Sequence, residues 1–194
     1  MLEPVTKTKW IEVNGAYCCV PNKCGSSSFR VSVAGLGKTV NNFELYEMMH
    51  KLGRGPWSID EINAKTDGKP RFLAVREPVD RFTSLWKHAN RENETLNKRG
   101  FLGAAGLLRA TPGRLMWVIE HRPDEDPHWT RQSFWEVEDV IPIRFDKFLA
   151  AVGLPPMHKN KSSEVPIPPL PEERIRAHYA RDCELWEMAL VNDF

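Results

Sequence analysis

Cysteine is scarce in this sequence of 194 residues, and only Cys18, Cys19, Cys24 and Cys183 occur. They have neither the paired spacing of a metal site nor the density of a disulfide-stabilised domain. The adjacent Cys18 and Cys19 would point to opposite faces of a strand. We therefore interpret all four cysteines as reduced thiols.

Long hydrophobic runs are also lacking. No stretch approaches the roughly 20 consecutive apolar residues that cross a bilayer as a helix. Residues 1–13 (MLEPVTKTKWIEV) carry charges and a proline where a signal peptide would have its apolar centre. The sequence therefore predicts a soluble, cytoplasmic protein with no membrane partner.

Neither sign of charge is in excess, because the sequence contains 27 Lys and Arg residues and 26 Asp and Glu residues. This balance argues against a protein that coats nucleic acid by bulk electrostatics, so any anion site must be local. At this length, and with 41% hydrophobic residues, we expect one domain that covers residues 1–194.

Two segments share the order strand, loop and helix. Residues 16–21 (AYCCVP) have the composition of a buried strand, and a serine-capped helix start follows at residues 26–28. Residues 71–75 (RFLAV) predict a second strand, and Pro78 suits the first turn of the next helix. Two such units favour an α/β fold in which helices flank a central, mainly parallel sheet, and such sheets bind ligands at the carboxyl ends of their strands.

The remaining elements are predicted from apolar spacing and helix-ending residues. One helix is expected from Asn41 to Leu52, with an apolar face formed by Phe43, Leu45, Tyr46, Met49 and Leu52. The others are a turn at 59–62, a helix at 112–121, a strand at 137–143, a short helix at 147–152, an extended stretch at 165–171 and one helix that starts near 171.

The loop after the first predicted strand has the composition of an anion site. A lysine and a glycine precede three hydroxyl residues at a helix start, where free amides and the positive end of the helix dipole face outward. The lysine precedes the glycine, whereas in a standard ATP-binding loop it follows the second glycine. Simple helix capping remains an alternative. The candidate ligands are Lys23, Cys24, Gly25, Ser26, Ser27 and Ser28.

A second candidate anion loop follows the second predicted strand. Arg76 would emerge at the carboxyl end of that strand, and Ser84 lies two turns into the following helix. These side chains can share one oxyanion if the chain brings them together. The alternative is a solvated surface arginine and a serine on a helix face.

Together the two loops resemble those of the PAPS-dependent sulfotransferase superfamily, where PAPS is 3'-phosphoadenosine 5'-phosphosulfate. That family carries a P-K-x-G-[ST]-[ST] loop and an R-[DE]-P-x-x-R-[FLY]-x-S motif. The resemblance implies that the first loop holds the 5'-phosphosulfate and that Arg76 and Ser84 contact the 3'-phosphate, with Arg81 at the intervening arginine. Asn22 separates Pro21 from Lys23, a departure that we interpret as a bulge at the strand end.

Three later segments are similar to the carbohydrate sulfotransferase branch of that family. Residues 126–132 (DPHWTRQ) are similar to its H-W-x-P-Q segment, residues 158–162 (HKNKS) to its H-x-N-x-S segment, and residues 179–186 (YARDCELW) to its closing helix. The resemblance implies a P-loop-like sulfotransferase fold and transfer of a sulfuryl group from PAPS, with release of 3'-phosphoadenosine 5'-phosphate (PAP) and no metal. The acceptor would be a hydroxyl or amino group on a small molecule or a saccharide.

The general base and the adenine-stacking ring stay open at this point. Histidine or a carboxylate usually deprotonates such an acceptor, and an aromatic ring usually stacks on adenine. A small P-loop nucleotide kinase and a catalytically inactive PAP-binding module are the alternative functions. The base candidates are His50, Glu61 and His128, and the ring candidates are Trp57, Trp86, Trp129 and Phe145.

Overall fold

The structure is a computed structural model, and it describes residues 9–35, 41–91, 110–123, 126, 128–156 and 166–191. The segment 158–162, which takes part in the resemblance, lies outside these residues. Within the described ranges, no helix combines the length and the apolar character that crossing a bilayer requires.

The described part of the chain forms a four-stranded sheet in the order β1-β2-β3-β4. β1 runs antiparallel to β2, whereas β2, β3 and β4 are mutually parallel. In register, Tyr17 lies beside Arg71, which lies beside Val140. The predicted α/β fold with a mainly parallel sheet is therefore confirmed. The strands are Ile11–Val13 (β1), Ala16–Cys19 (β2), Arg71–Val75 (β3) and Val140–Arg144 (β4).

The antiparallel β1 has no counterpart among the predicted elements. Asn14 and Gly15, with φ of 49° and 82°, both occupy the left-handed region. A two-residue turn with positive φ at both positions is the tight connection that matches the twist of a hairpin. Asn14 and Gly15 therefore fold β1 back onto β2.

The helices begin and end close to the predicted positions, with two corrections. The C-terminal helix is divided into two at Tyr179, whose hydroxyl donates to the carbonyl of Trp129 at 2.8 Å. In the second helix, Phe43 and Leu52 are 77% and 59% exposed, so they do not belong to its buried face. The helices are Ser26–Ala34 (α1), Asn42–Lys51 (α2), Ile59–Asn63 (α3), Pro78–Arg91 (α4), Pro112–His121 (α5), Phe148–Ala151 (α6), Glu172–His178 (α7) and Ala180–Val191 (α8), with a 3-10 helix at Gln132–Trp135.

Both faces of the sheet are covered, as buried parallel strands require. Cys18 packs on the side of α1, α2 and α6, whereas Cys19 packs on the side of α8. A third cluster, which includes Trp86 and Trp129, joins α4, α5 and α7. All four cysteines are free thiols, and Cys18 and Cys19 point to opposite faces, as expected.

Candidate functional site

Three strand ends converge at one edge of the sheet, because β2, β3 and β4 are parallel and their carboxyl ends therefore lie together. Arg76 follows β3, and its Nη1 donates to the carbonyl of Lys23 in the loop after β2, at 3.2 Å. Phe145 follows β4, and its ring centroid lies 4.8 Å from the Arg76 guanidinium. A Cβ on Gly25 would lie 3.7 Å from the same ring. The two candidate anion loops therefore belong to one site.

The loop after β2 begins with a tight turn. The amide of Cys24 donates to the carbonyl of Pro21 at 3.1 Å. Lys23 has a φ of 67°, whereas Asn22 is not among the residues with positive φ, and this combination is the signature of a type II turn. Because β2 has already ended at Cys19, the extra residue Asn22 lies in the turn rather than in a bulge of the strand.

The same loop ends at the amino end of α1. The residue that caps α1 is Gly25, with a φ of 80° and no side-chain capping bond, so the expectation of a serine cap is wrong. Ser26 and Ser27 instead lie inside the first turn, where backbone amides have no acceptor within the helix. No acidic side chain occupies this turn. The positive end of the helix dipole is therefore not neutralised by a carboxylate of its own first turn.

Arg76 brings a cation into this site at a partly buried position. Its Nε is buried and has no hydrogen-bond partner in the described part of the chain. Burial lowers the pKa of Arg76, although an arginine remains charged in proteins. Nη1 has the Lys23 carbonyl as its acceptor, but Nε has none, and a buried donor without an acceptor is costly in free energy. The geometry therefore fits a negatively charged ligand.

Arg81 and Ser84, the other residues of the second motif, are placed differently. The buried Arg81 donates through Nε to the carbonyl of Asn22 at 3.2 Å and through Nη2 to that of Thr130 at 2.7 Å. Arg81 thus holds the backbone of the first loop. Ser84 is half-buried on α4, and no described hydrogen bond joins it to Arg76.

Among the base candidates, His128 is the one whose backbone lies beside Arg81, the side chain that holds the first loop. Its carbonyl lies 3.4 Å from Nη2 of Arg81, the side chain that also holds Asn22. Its ring Nδ1 lies 2.6 Å from Oδ1 of Asp126, and its ring is stacked on that of His88 at 5.5 Å. Burial would raise the pKa of Asp126, but the hydrogen bonds and charge of His128 outweigh burial and lower it. Asp126 is therefore an ionised partner for the imidazole.

The other two base candidates lie away from the convergent strand ends. Glu61 is exposed, and its Oε2 accepts from the amide of Ser58 at 2.7 Å, so it caps α3. The residues after α3 contact the amino end of β3, where Arg71 donates to the carbonyl of Lys65 at 2.7 Å. His50 is exposed in the last turn of α2, the helix that covers the edge strand β1.

Of the four ring candidates, Phe145 lies at the site. Trp129 and Trp86 are buried in the cluster of α4, α5 and α7. Trp57 pairs with Trp10, which directly precedes β1, and its ring is perpendicular to that of Tyr17, with the ring centroids 5.3 Å apart. The position of Phe145 could not be inferred from the sequence, because it depends on β4 lying beside β3.

Two buried polar residues near the loops had no role assigned from the sequence. Asp182 is completely buried on α8, and its carboxylate accepts from the amides of Gln132 at 2.7 Å and Ser133 at 2.8 Å. The side chain of Gln132 is equally buried and reaches both loops. Both residues fall in segments that take part in the resemblance, which gave no function for either of them.

No protein-family model, curated protein or solved structure matches this chain. Within the described ranges, no group of three or more His, Cys, Asp and Glu side chains is arranged to hold a metal ion.

Proposed function

We propose that this protein is a sulfotransferase that moves a sulfuryl group from PAPS to a hydroxyl or amino group of an acceptor and releases PAP, on a P-loop-like sulfotransferase fold. One observation carries the proposal. The partly buried guanidinium of Arg76, with an unpaired Nε, lies 3.2 Å from the Lys23 carbonyl, beside the amino end of α1, which Gly25 caps without a side-chain hydrogen bond. The Arg76 guanidinium and the positive amino end of α1 therefore lie in one site. Each could bind one phosphate group of a nucleotide that carries two.

Each loop would bind one end of the nucleotide. The amides of Ser26 and Ser27 and the ammonium group of Lys23 would hold the 5'-phosphosulfate and stabilise the charge that grows on the leaving phosphate oxygen. Arg76 would bind the 3'-phosphate, a group that ATP lacks. A ligand without it would leave the charge of this partly buried guanidinium without an anion, which favours PAPS over ATP.

His128 is the general base of this proposal. With the proton of the imidazole held on Nδ1 by Asp126, Nε2 can accept the proton of the acceptor hydroxyl. The acceptor oxygen then forms a bond to sulfur while the bond between sulfur and the bridging phosphate oxygen breaks. The electron pair of that bond stays on PAP, and the proton stays on His128.

The test is incubation with labelled PAPS and a panel of saccharide, peptide and phenolic acceptors, followed by measurement of PAP release and of label on each acceptor. We expect transfer by the wild type and a loss of transfer in Lys23→Ala. The matched control is Lys51→Ala, which removes an exposed lysine paired with Glu47 on α2 and should leave the rate unchanged.

Calorimetric binding of PAP and of ADP with magnesium, measured beside this experiment, separates the alternative functions. Tight binding of PAP with no transfer to any acceptor would indicate a catalytically inactive PAP-binding module. Preference for ADP with magnesium over PAP would indicate a nucleotide kinase and would contradict the PAPS site.

A further inference from the structure

The side-chain amide of Gln132 lies between the two candidate phosphate loops. Its Oε1 accepts from the backbone amide of Arg76 at 2.7 Å and from Sγ of Cys24 at 3.0 Å. Its Nε2 donates to the carbonyl of Arg76 at 2.9 Å and lies 3.4 Å from Oδ2 of Asp182. One oxygen atom is therefore within 3.0 Å of both loops.

This amide occupies the place that β2 leaves. β2 pairs with β3 only as far as Cys19 beside Leu73, and the chain then turns away into the first loop. The carbonyl of Val75 bonds to Phe145 on the β4 side. Since the polar groups of successive strand residues point to alternate sides, those of Arg76 point towards the vacated β2 side. Gln132 meets both of them there, as a neighbouring peptide group would.

Gln132 is itself held rigidly. Its backbone amide and that of Ser133 donate to the two oxygens of the buried Asp182 carboxylate. On the other side, burial raises the pKa of Cys24 to about 11, so the thiol keeps its proton at neutral pH and donates it to Oε1. On the side that faces the loops, every donor and acceptor position of the Gln132 side-chain amide therefore has a polar partner.

We propose that Gln132 is a positioning residue that sets the separation of the two loops, so that one ligand with phosphates at both its 5' and 3' positions is bound by both loops at once. This inference rests on the proposed PAPS site and adds to it a residue that need not touch the nucleotide. Each loop alone can bind one phosphate. If the distance between the two loops is fixed, a ligand bound by one loop already has its second phosphate at the other loop. No further ordering of the loops is then needed.

Three ligands distinguish positioning from simple stabilisation of the fold: PAP, which has both phosphates, AMP, which has only the 5' one, and 3'-AMP. Their affinities would be measured by calorimetry for the wild type, Gln132→Met, Cys24→Ala and Cys24→Ser. Met preserves the length of Gln132 without its polar atoms, and Ser restores a donor to Oε1. Cys183→Ala, which removes a half-buried thiol on α8, is the matched control.

We expect Gln132→Met and Cys24→Ala to weaken PAP by about tenfold, within the usual range of coupling between two sites, and to leave AMP and 3'-AMP nearly unchanged. Cys24→Ser should bind PAP almost as the wild type does, and Cys183→Ala should bind all three ligands normally. A partly unfolded variant would instead lose apparent affinity for all three ligands alike. If Gln132→Met does not fold, the Cys24→Ala and Cys24→Ser pair decides.

Equal losses for the three ligands, or unchanged PAP affinity in every variant, would overturn the positioning role and leave the PAPS site intact. If the wild type binds PAP no more tightly than AMP, the PAPS site itself is wrong, and the role of Gln132 falls with it.

Discussion

Replacement of Lys23 by glycine should stabilise the protein and weaken its ligand binding at the same time. Lys23 has a φ of 67°, a conformation that costs a residue with a Cβ roughly 1–2 kcal/mol. Glycine removes this cost, but it also increases the conformational entropy of the unfolded chain, which lowers the free energy of unfolding by about 0.4–1 kcal/mol. The net gain over alanine at this position is therefore on the order of 0.5–1 kcal/mol in the free energy of unfolding.

The matched variant is Lys23→Ala, which removes the same charge but keeps the left-handed strain. In a chain of this size, 1 kcal/mol corresponds to a shift of about 2–4 °C in Tm, so the glycine variant should melt about 1–4 °C above the alanine variant. Both variants lose a charged hydrogen bond to phosphate, worth about 2 kcal/mol, and should bind PAP roughly 30-fold more weakly than the wild type.

Urea denaturation and calorimetric titration with PAP measure the two effects separately. If Lys23→Gly is no more stable than Lys23→Ala, the turn does not hold Lys23 in the left-handed conformation. If both variants bind PAP as the wild type does, Lys23 is not a phosphate ligand, and the first loop has been assigned wrongly.

Three further changes test other parts of the site. Arg81→Met leaves the buried carboxylate of Asp182 without its cation and should lower the free energy of unfolding by about 3–5 kcal/mol in urea denaturation; a loss below about 1 kcal/mol, typical of exposed pairs, would contradict this. The hydrogen bonds and charge of His128 outweigh burial and lower the pKa of Asp126. The ionised carboxylate therefore stabilises the fold at pH values above the ordinary aspartate pKa of about 3.9. This stabilisation is lost as the pH falls through the lowered pKa. Asp126→Asn should therefore be less stable than the wild type near neutral pH, and the difference should shrink in acid; a difference that is constant with pH would refute the sign. Phe145→Ala should weaken PAP binding by about tenfold, since a base stacked on a ring contributes about 1–3 kcal/mol; unchanged binding would remove Phe145 from the nucleotide site.

The sequence was sufficient to predict the parallel core of the fold, because its signals there are local. Residues 72–75 (FLAV) form an apolar run between Arg71 and Arg76, and β3 has the predicted bounds Arg71–Val75. β1 was missed because three residues are too short for an alternation pattern, although Asn14 and Gly15 are the strongest short signal of a hairpin. Phe43 was assigned to a buried face from helical spacing alone, whereas it is 77% exposed.

The candidate site was predictable only in part, for a related reason. Because the carboxyl ends of paired parallel strands lie together, the proximity of Arg76 to the Lys23 loop can be expected from the sequence alone. Which base lies near them cannot, since tertiary packing alone separates His128 from Glu61. Gln132 contacts Arg76 across 56 residues and Asp182 across 50, and no local pattern encodes such contacts.

The central claim is that Lys23 and Arg76 hold opposite ends of one adenosine that carries phosphates at both its 5' and 3' positions. Its most direct test is calorimetric titration of the wild type with PAP and with ADP, in a chelator that removes magnesium. We expect PAP to bind at least about tenfold more tightly than ADP, because only PAP carries a 3'-phosphate for the partly buried guanidinium of Arg76. Equal affinities, or no binding of PAP, would contradict the claim.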